Sequence, residues 1–133
     1  MNAPTILIVE DDANFRRVLE FQLTEAGYQT TVAENGEEAR ELFSEHRYRI
    51  VLTDLNMPGI GGEEVLKHVK EVSPDTPVII ITAFGSIDSA VEAMKLGAFQ
   101  YLTKPVNGDE LIHVINDALK YSKGRAGNPF RHE

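Results

Sequence analysis

The chain contains no cysteine. That single absence removes disulfides, thiolate metal sites and thiol catalysis together. Its four histidines, His46, His68, His113 and His132, are scattered without ligand-like spacing, so a zinc site is not expected. No apolar stretch approaches the length needed to cross a bilayer. Met1-Asn2-Ala3-Pro4 lacks the basic start of a signal peptide, so a cytoplasmic protein without membrane contact is expected. Positive charge is also scarce. A net charge of −8 argues against direct nucleic-acid binding, and its simplest consequence is solubility. The 133 residues suffice for one domain with a real core, and 42% hydrophobic content argues against disorder.

What is present is an alternation. Apolar runs at Thr5–Val9, Thr30–Ala33, Ile50–Thr53, Val78–Thr82 and Phe99–Leu102 read as strands buried on both faces. Between them lie helical patterns. Phe15, Val18, Leu19, Leu23 and Ala26 carry the first, with Gly27 as its stop. Ala39, Leu42 and Phe43 mark a second after Asn35-Gly36, and Val65, Leu66 and Val69 a third before Ser73-Pro74. Ile87, Ala90, Val91 and Met94 mark a fourth that stops at Gly97, and Leu111, Val114, Ile115 and Ala118 the last. Repeated β-α units of this kind build a parallel sheet with helices on both faces, an α/β fold. The domain is expected over residues 1–121, with 122–133 as a linker or C-terminal tail, basic, glycine-containing and without period.

Two of the apolar runs end abruptly in acid. Ile6 to Val9 meets Glu10-Asp11-Asp12, and Ile50 to Thr53 meets Asp54. The carboxyl edge of an open parallel sheet is where such folds keep their ligand sites. If those strands are neighbours, three carboxylates crowd one pocket. At about 5 Å and an effective dielectric of about 20, each pair repels by roughly 3 kcal/mol. A divalent cation is the first candidate to relieve that repulsion. Thr82 ends the fourth strand and Lys104 follows the fifth, at the same edge. Singly each has a plain reading: Asp12 as a helix cap, Thr82 as a β-branched strand residue, Lys104 as a solvated charge. Together they form a parts list. Carboxylates hold Mg²⁺ as hard oxygen ligands, and a carboxylate can itself become an aspartyl-phosphate. A lysine offers a mobile positive charge to phosphate, and a threonine hydroxyl a hydrogen-bond donor. The set fits phosphoryl transfer to a carboxylate, which needs mainly positioning and charge neutralisation.

In this order and spacing, Ile8-Val9-Glu10-Asp11-Asp12, Leu52-Thr53-Asp54-Leu55-Asn56-Met57-Pro58-Gly59, Ile81-Thr82-Ala83 and Tyr101-Leu102-Thr103-Lys104-Pro105 resemble the signature motifs of two-component response-regulator receiver domains. The resemblance covers about residues 4 to 121. It implies a doubly wound five-stranded parallel sheet in the flavodoxin-like order 2-1-3-4-5. It implies phosphorylation of Asp54 by a sensor histidine kinase, in a domain that assists its own phosphorylation and dephosphorylation without being a turnover enzyme. Asp11, Asp12 and Asp54, with the backbone carbonyl of Asn56, are then the expected ligands of Mg²⁺, or of Mn²⁺ in its place. Lys104, Thr82 and the Ala83 amide are expected to meet the phosphoryl group, and Tyr101 to swing inward as Thr82 moves. Asn56 and Phe84 match positions that tune phosphate loss, and Lys104-Pro105 matches a bond that is usually cis in the family. The stretch from Thr82 to Ala98 is similar to receivers of NtrC-type transcriptional activators, though Gln100 stands where many have aspartate.

The implied output is a shift of the face made by the fourth helix, fifth strand and fifth helix, meeting a second receiver or an effector. Small residues there, Ala90 and Ala93, allow close approach or are simply routine packing. The linker-like tail leads one to expect an effector beyond residue 133, the alternative being a stand-alone receiver acting on a partner protein. Two rivals are weighed against this reading. A haloacid-dehalogenase-type phosphatase needs a second acid where Asn56 stands. A flavodoxin-type flavin module needs a phosphate-cradling loop where Glu10-Asp11-Asp12 would repel phosphate.

Overall fold

The computed structural model describes residues 5–83 and 85–127. Five strands alternate with five helices: β1 Thr5–Val9, α1 Ala13–Glu25, β2 Gln29–Ala33, α2 Gly36–Glu45, β3 Ile50–Thr53, α3 Gly62–Val72, β4 Val78–Thr82, α4 Ile87–Lys95, β5 Gln100–Thr103 and α5 Gly108–Gly127. All pairings are parallel, in the order β2-β1-β3-β4-β5. The expected β-α alternation and strand order hold, with β2 starting one residue early and β5 displaced by one.

The reason for the sheet lies in β1, β3 and β4. Ile6 to Ile8, Ile50 to Leu52 and Val78 to Ile81 are essentially inaccessible to water, because side chains on both faces are covered. One side buries Leu7, Val51 and Ile80 against Phe43, Leu66 and Val69 of α2 and α3 and Ala93 of α4. The other buries Ile6, Ile8, Leu52 and Ile79 against Leu19 and Leu23 of α1 and Leu111, Ile115 and Ala118 of α5. Gly27 and Gly97 take left-handed φ of 98° and 106°, as the predicted helix stops require.

Helix α5 continues to Gly127, through the first half of the segment expected as a tail. Residues 128–133 lie outside the described residues.

The register sets up everything that follows. Val9 pairs with Thr53, so the residues just beyond, Glu10 and Asp54, emerge side by side. The Asp54 amide donates to the Val9 carbonyl at 3.0 Å, and the Lys104 amide to the Thr82 carbonyl at 2.9 Å. Four strand ends are thus tied into one edge. The loop after Asp54 folds back tightly to start α3. A Cβ on Gly62 would lie 2.1 Å from the Asp54 carbonyl oxygen, a backbone atom that cannot step aside. Gly62→Ala is therefore expected to cost about 1–3 kcal/mol of unfolding free energy through overpacking. Urea denaturation checks it; an unchanged midpoint would show that the loop after Asp54 yields freely.

Candidate functional site

At the carboxyl edge an open cleft is lined by Glu10, Asp11, Asp12, Asp54, Asn56 and Lys104, with Phe15 and Ala83 completing the wall. Its chemistry centres on one ammonium. Lys104 Nζ stands 3.0 Å from Glu10 Oε1 and 3.0 Å from Asp54 Oδ2. Both acids are buried, Glu10 at 1% and Asp54 at 6% exposure, whereas Asp11 is open to solvent. Carboxylate oxygens of Glu10, Asp11 and Asp54 lie within 4.8 Å of one another. One lysine cannot neutralise three carboxylates.

Each buried oxygen has a partner. Glu10 Oε2 accepts the Asp12 amide at 3.0 Å, and Asp54 Oδ1 accepts the Asn56 amide at 3.1 Å. Burial pushes the Glu10 carboxyl above its usual range, and neighbouring Asp54 adds to it, against the Asp12 amide and Lys104, which pull it down. Burial alone would lower Lys104. Hydrogen bonds and attraction from Asp54 and Glu10 outweigh it, so the ammonium holds its proton above the ordinary value of 10.5.

Asp11 and Asp12 were expected to join Asp54. The carboxylate oxygens of Asp11 and Asp54 do approach one another, with Glu10 as the third member of the cluster. Asp12 is the N-cap of α1, and its Oδ1 accepts the amides of Asn14 at 2.9 Å and Phe15 at 3.2 Å. A helix start has unpaired N–H groups and positive dipole charge, and the carboxylate answers both. Asp12 also lines the cleft, and the helix amides occupy one of its oxygens, Oδ1.

Comparison with known proteins agrees with this geometry. Residues 6–116 match the family described as the response regulator receiver domain. The chain belongs to that family. The receiver is 38% identical to the response regulator protein PilR of Pseudomonas aeruginosa over 120 residues, 90% of this chain and 27% of that protein. To the DNA-binding transcriptional regulator NtrC of Escherichia coli it is 39% identical over 121 residues, 91% of this chain and 26% of that one. The chain therefore spans about a quarter of the length of these curated relatives. Among solved structures, a receiver domain from Clostridium thermocellum superposes with a TM-score of 0.86 at 34% identity, covering 90% of this chain and 97% of that one. NtrX from Brucella abortus gives 0.88 at 31% identity, covering 94% of this chain and 28% of its own.

The other residues singled out from the sequence have definite positions. Thr82 is fully buried, and its Oγ1 accepts the Asn56 side-chain amide at 3.0 Å. Tyr101, half-buried on β5, places its hydroxyl 2.6 Å from Ser89 Oγ of α4. Ser89 in turn closes a reciprocal cap with Ser86 at the start of that helix. Ala83 lines the cleft, and the Lys104-Pro105 bond is cis. Phe84 lies outside the described residues. On α4, Ile87, Val91 and Met94 expose 83%, 47% and 45% of their surface. Among the described residues no helix is long and apolar enough to cross a membrane.

Two site residues were missed. Glu10 stood in the acidic run but was given no role, although it ends β1 beside Asp54. Phe15 was read only as a core position, yet Lys104 Nζ lies 4.4 Å from its ring centroid. Its place one turn into a helix that starts at the cleft was the available signal.

Charge crowding yields two predictions. Without divalent cations, Asp54→Asn is expected to melt above the native chain by about 1 kcal/mol, or roughly 4 °C, because a buried, crowded carboxylate becomes neutral while Lys104 keeps Glu10. An unchanged or lower melting temperature would mean that Lys104 fully offsets the three acids. The second prediction concerns alkaline pH. Lys104 has a raised folded pKa, so its stabilisation is complete below 10.5 and is lost as pH rises through the folded value. With Glu10 and Asp54 ionised, the stability difference between the native chain and Lys104→Met should accordingly be flat through mildly alkaline pH up to that value and shrink above it, as read by denaturant titrations.

Proposed function

We propose that Asp54 of this receiver accepts a phosphoryl group from the phosphohistidine of a sensor kinase, assisted by Mg²⁺. The observation that supports this most is the shared Lys104 ammonium, held between Asp54 and Glu10 at 3.0 Å beside the exposed Asp11. The donor set fits a hard divalent cation: carboxylate oxygens within 4.8 Å, with no histidine or sulfur among them. Asp11, Asp12 and Asp54, with the Asn56 carbonyl, are the ligands proposed, and Glu10 lies beside them. When bound, Mg²⁺ supplies the positive charge that lets an anionic phosphoryl group approach anionic carboxylates.

The residues of the chain do the rest. An Asp54 carboxylate oxygen forms the new P–O bond as the donor's P–N bond breaks, and the departing imidazole takes a proton. Lys104, already aimed at Asp54 Oδ2, offers its charge to the phosphoryl oxygens. Asn56 carries an amide, donated to Thr82, at the position where a phosphatase would need an acid.

The signal then leaves the cleft through Thr82. Its hydroxyl exchanges Asn56 for a phosphoryl oxygen, a stronger, charged acceptor. Tyr101, bonded to Ser89 before phosphorylation, follows into the space released. The face of α4, β5 and α5 is thereby rebalanced between two states, by as much as phosphate prefers one of them. Exposed Ile87, Val91 and Met94 make that face suited to a second receiver or an effector. By analogy with PilR and NtrC, whose names describe regulators of response and transcription, the output we assign is control of transcription in the cytoplasm.

Incubation with acetyl phosphate and Mg²⁺ tests the reading by intact mass. The native chain should gain one phosphoryl group, EDTA should prevent it, and Asp54→Asn should gain none. If Asp54→Asn is labelled as fully as the native chain, the acceptor lies elsewhere. Mg²⁺ at a hundredfold excess over its dissociation constant should also stabilise the native chain by about 2.7 kcal/mol. A chain that Mg²⁺ leaves unchanged in a thermal melt would contradict the metal assignment.

A further inference from the structure

The ammonium at the centre of the site is the end of a four-carbon stem with many rotamers. Among the described residues, three contacts confine it. Glu10 and Asp54 take one donor each at 3.0 Å. The third is the ring of Phe15, whose centroid lies 4.4 Å from Nζ. A cation this close to an aromatic face is attracted by the ring's quadrupole. The ring is itself anchored. Phe15 sits in the first turn of α1, its amide donates to Asp12 Oδ1 at 3.2 Å, and its side chain packs on the core cluster beneath α1 and α5. It also lines the cleft beside Asp54.

We propose that Phe15 is a positioning residue: its aromatic face holds the Lys104 ammonium toward Asp54 and thereby sets how fast Asp54 takes up a phosphoryl group. This rests on Asp54 being the acceptor. The two carboxylates alone leave one side of the ammonium open, and water there would compete for its third donor and loosen the stem. The ring closes that side without adding a carboxylate that would draw the ammonium away from the incoming phosphoryl group. An aliphatic side chain of similar bulk fills the same space but has no negative face.

That difference makes the test. Phe15→Tyr keeps the face and Phe15→Leu removes it while keeping an apolar wall. With acetyl phosphate and saturating Mg²⁺, Phe15→Leu should lower the maximal phosphorylation rate about three- to tenfold, with Phe15→Tyr within about twofold of the native chain. Mg²⁺ affinity, read by its effect on the melting curve, should be the same in all three. Independently of any reaction, the Lys104 ε-methylene protons should show a ring-current upfield shift in the native chain and Phe15→Tyr, lost in Phe15→Leu. Equal rates for Leu and Tyr variants, or equal ε-methylene shifts, would overturn the proposal. A native chain that acquires no phosphoryl group on Asp54 would instead overturn the acceptor assignment, while the proton shifts still decide whether Phe15 holds Lys104.

Discussion

Everything in this cleft depends on a shortage of positive charge. One lysine serves two buried carboxylates and faces a third that is solvated. The shortage is stable because each buried acid is also held by a backbone amide, Glu10 by Asp12 and Asp54 by Asn56. The result is a site with fixed geometry and unspent negative potential. On the proposed reading, a divalent cation and a phosphoryl group would each act on that potential. A fully neutralised site would gain little from either.

The shortage reaches outward through hydrogen bonds that have alternatives. The Asn56 amide occupies Thr82, and Thr82 sits at the end of a strand whose neighbour carries Tyr101. Tyr101 is bonded to Ser89 inside the N-terminal cap of α4. On the proposed reading, these two hydrogen bonds and the β4–β5 pairing between them would carry a change at Asp54 to α4. The core itself, Ile6 to Ile8, Ile50 to Leu52 and Val78 to Ile81, stays sealed on both faces and supplies the rigid frame.

Much of this was legible in the chain. Apolar runs of four or five residues between amphipathic stretches indicated a parallel sheet, and Gly27 and Gly97 marked helix ends that the backbone dihedrals bear out. Asp54, Thr82 and Lys104 were placed at one edge because strand ends in such a sheet share an edge. The acidic run was harder. Glu10, Asp11 and Asp12 are chemically alike, and order in sequence does not say which carboxylate turns inward. The β1–β3 register brings Glu10 beside Asp54, and Asp12, still at the cleft, also caps α1. Phe15 was hidden for a similar reason: helical spacing marks it as apolar, and nothing local reveals that a lysine 89 positions later in the chain will lie over its ring.

The sequence by itself determined the element order, the buried runs and the chemical types available at the carboxyl edge, because periodicity and strand-end position are local properties. Tertiary structure alone decided which carboxylates share the lysine, that Gly62 must pass against the Asp54 carbonyl, that Thr82 is held by Asn56, and that Tyr101 is held by α4. Those are distances between residues far apart in the chain. They follow from strand register and helix docking, which the sum of the packing fixes and no short stretch encodes.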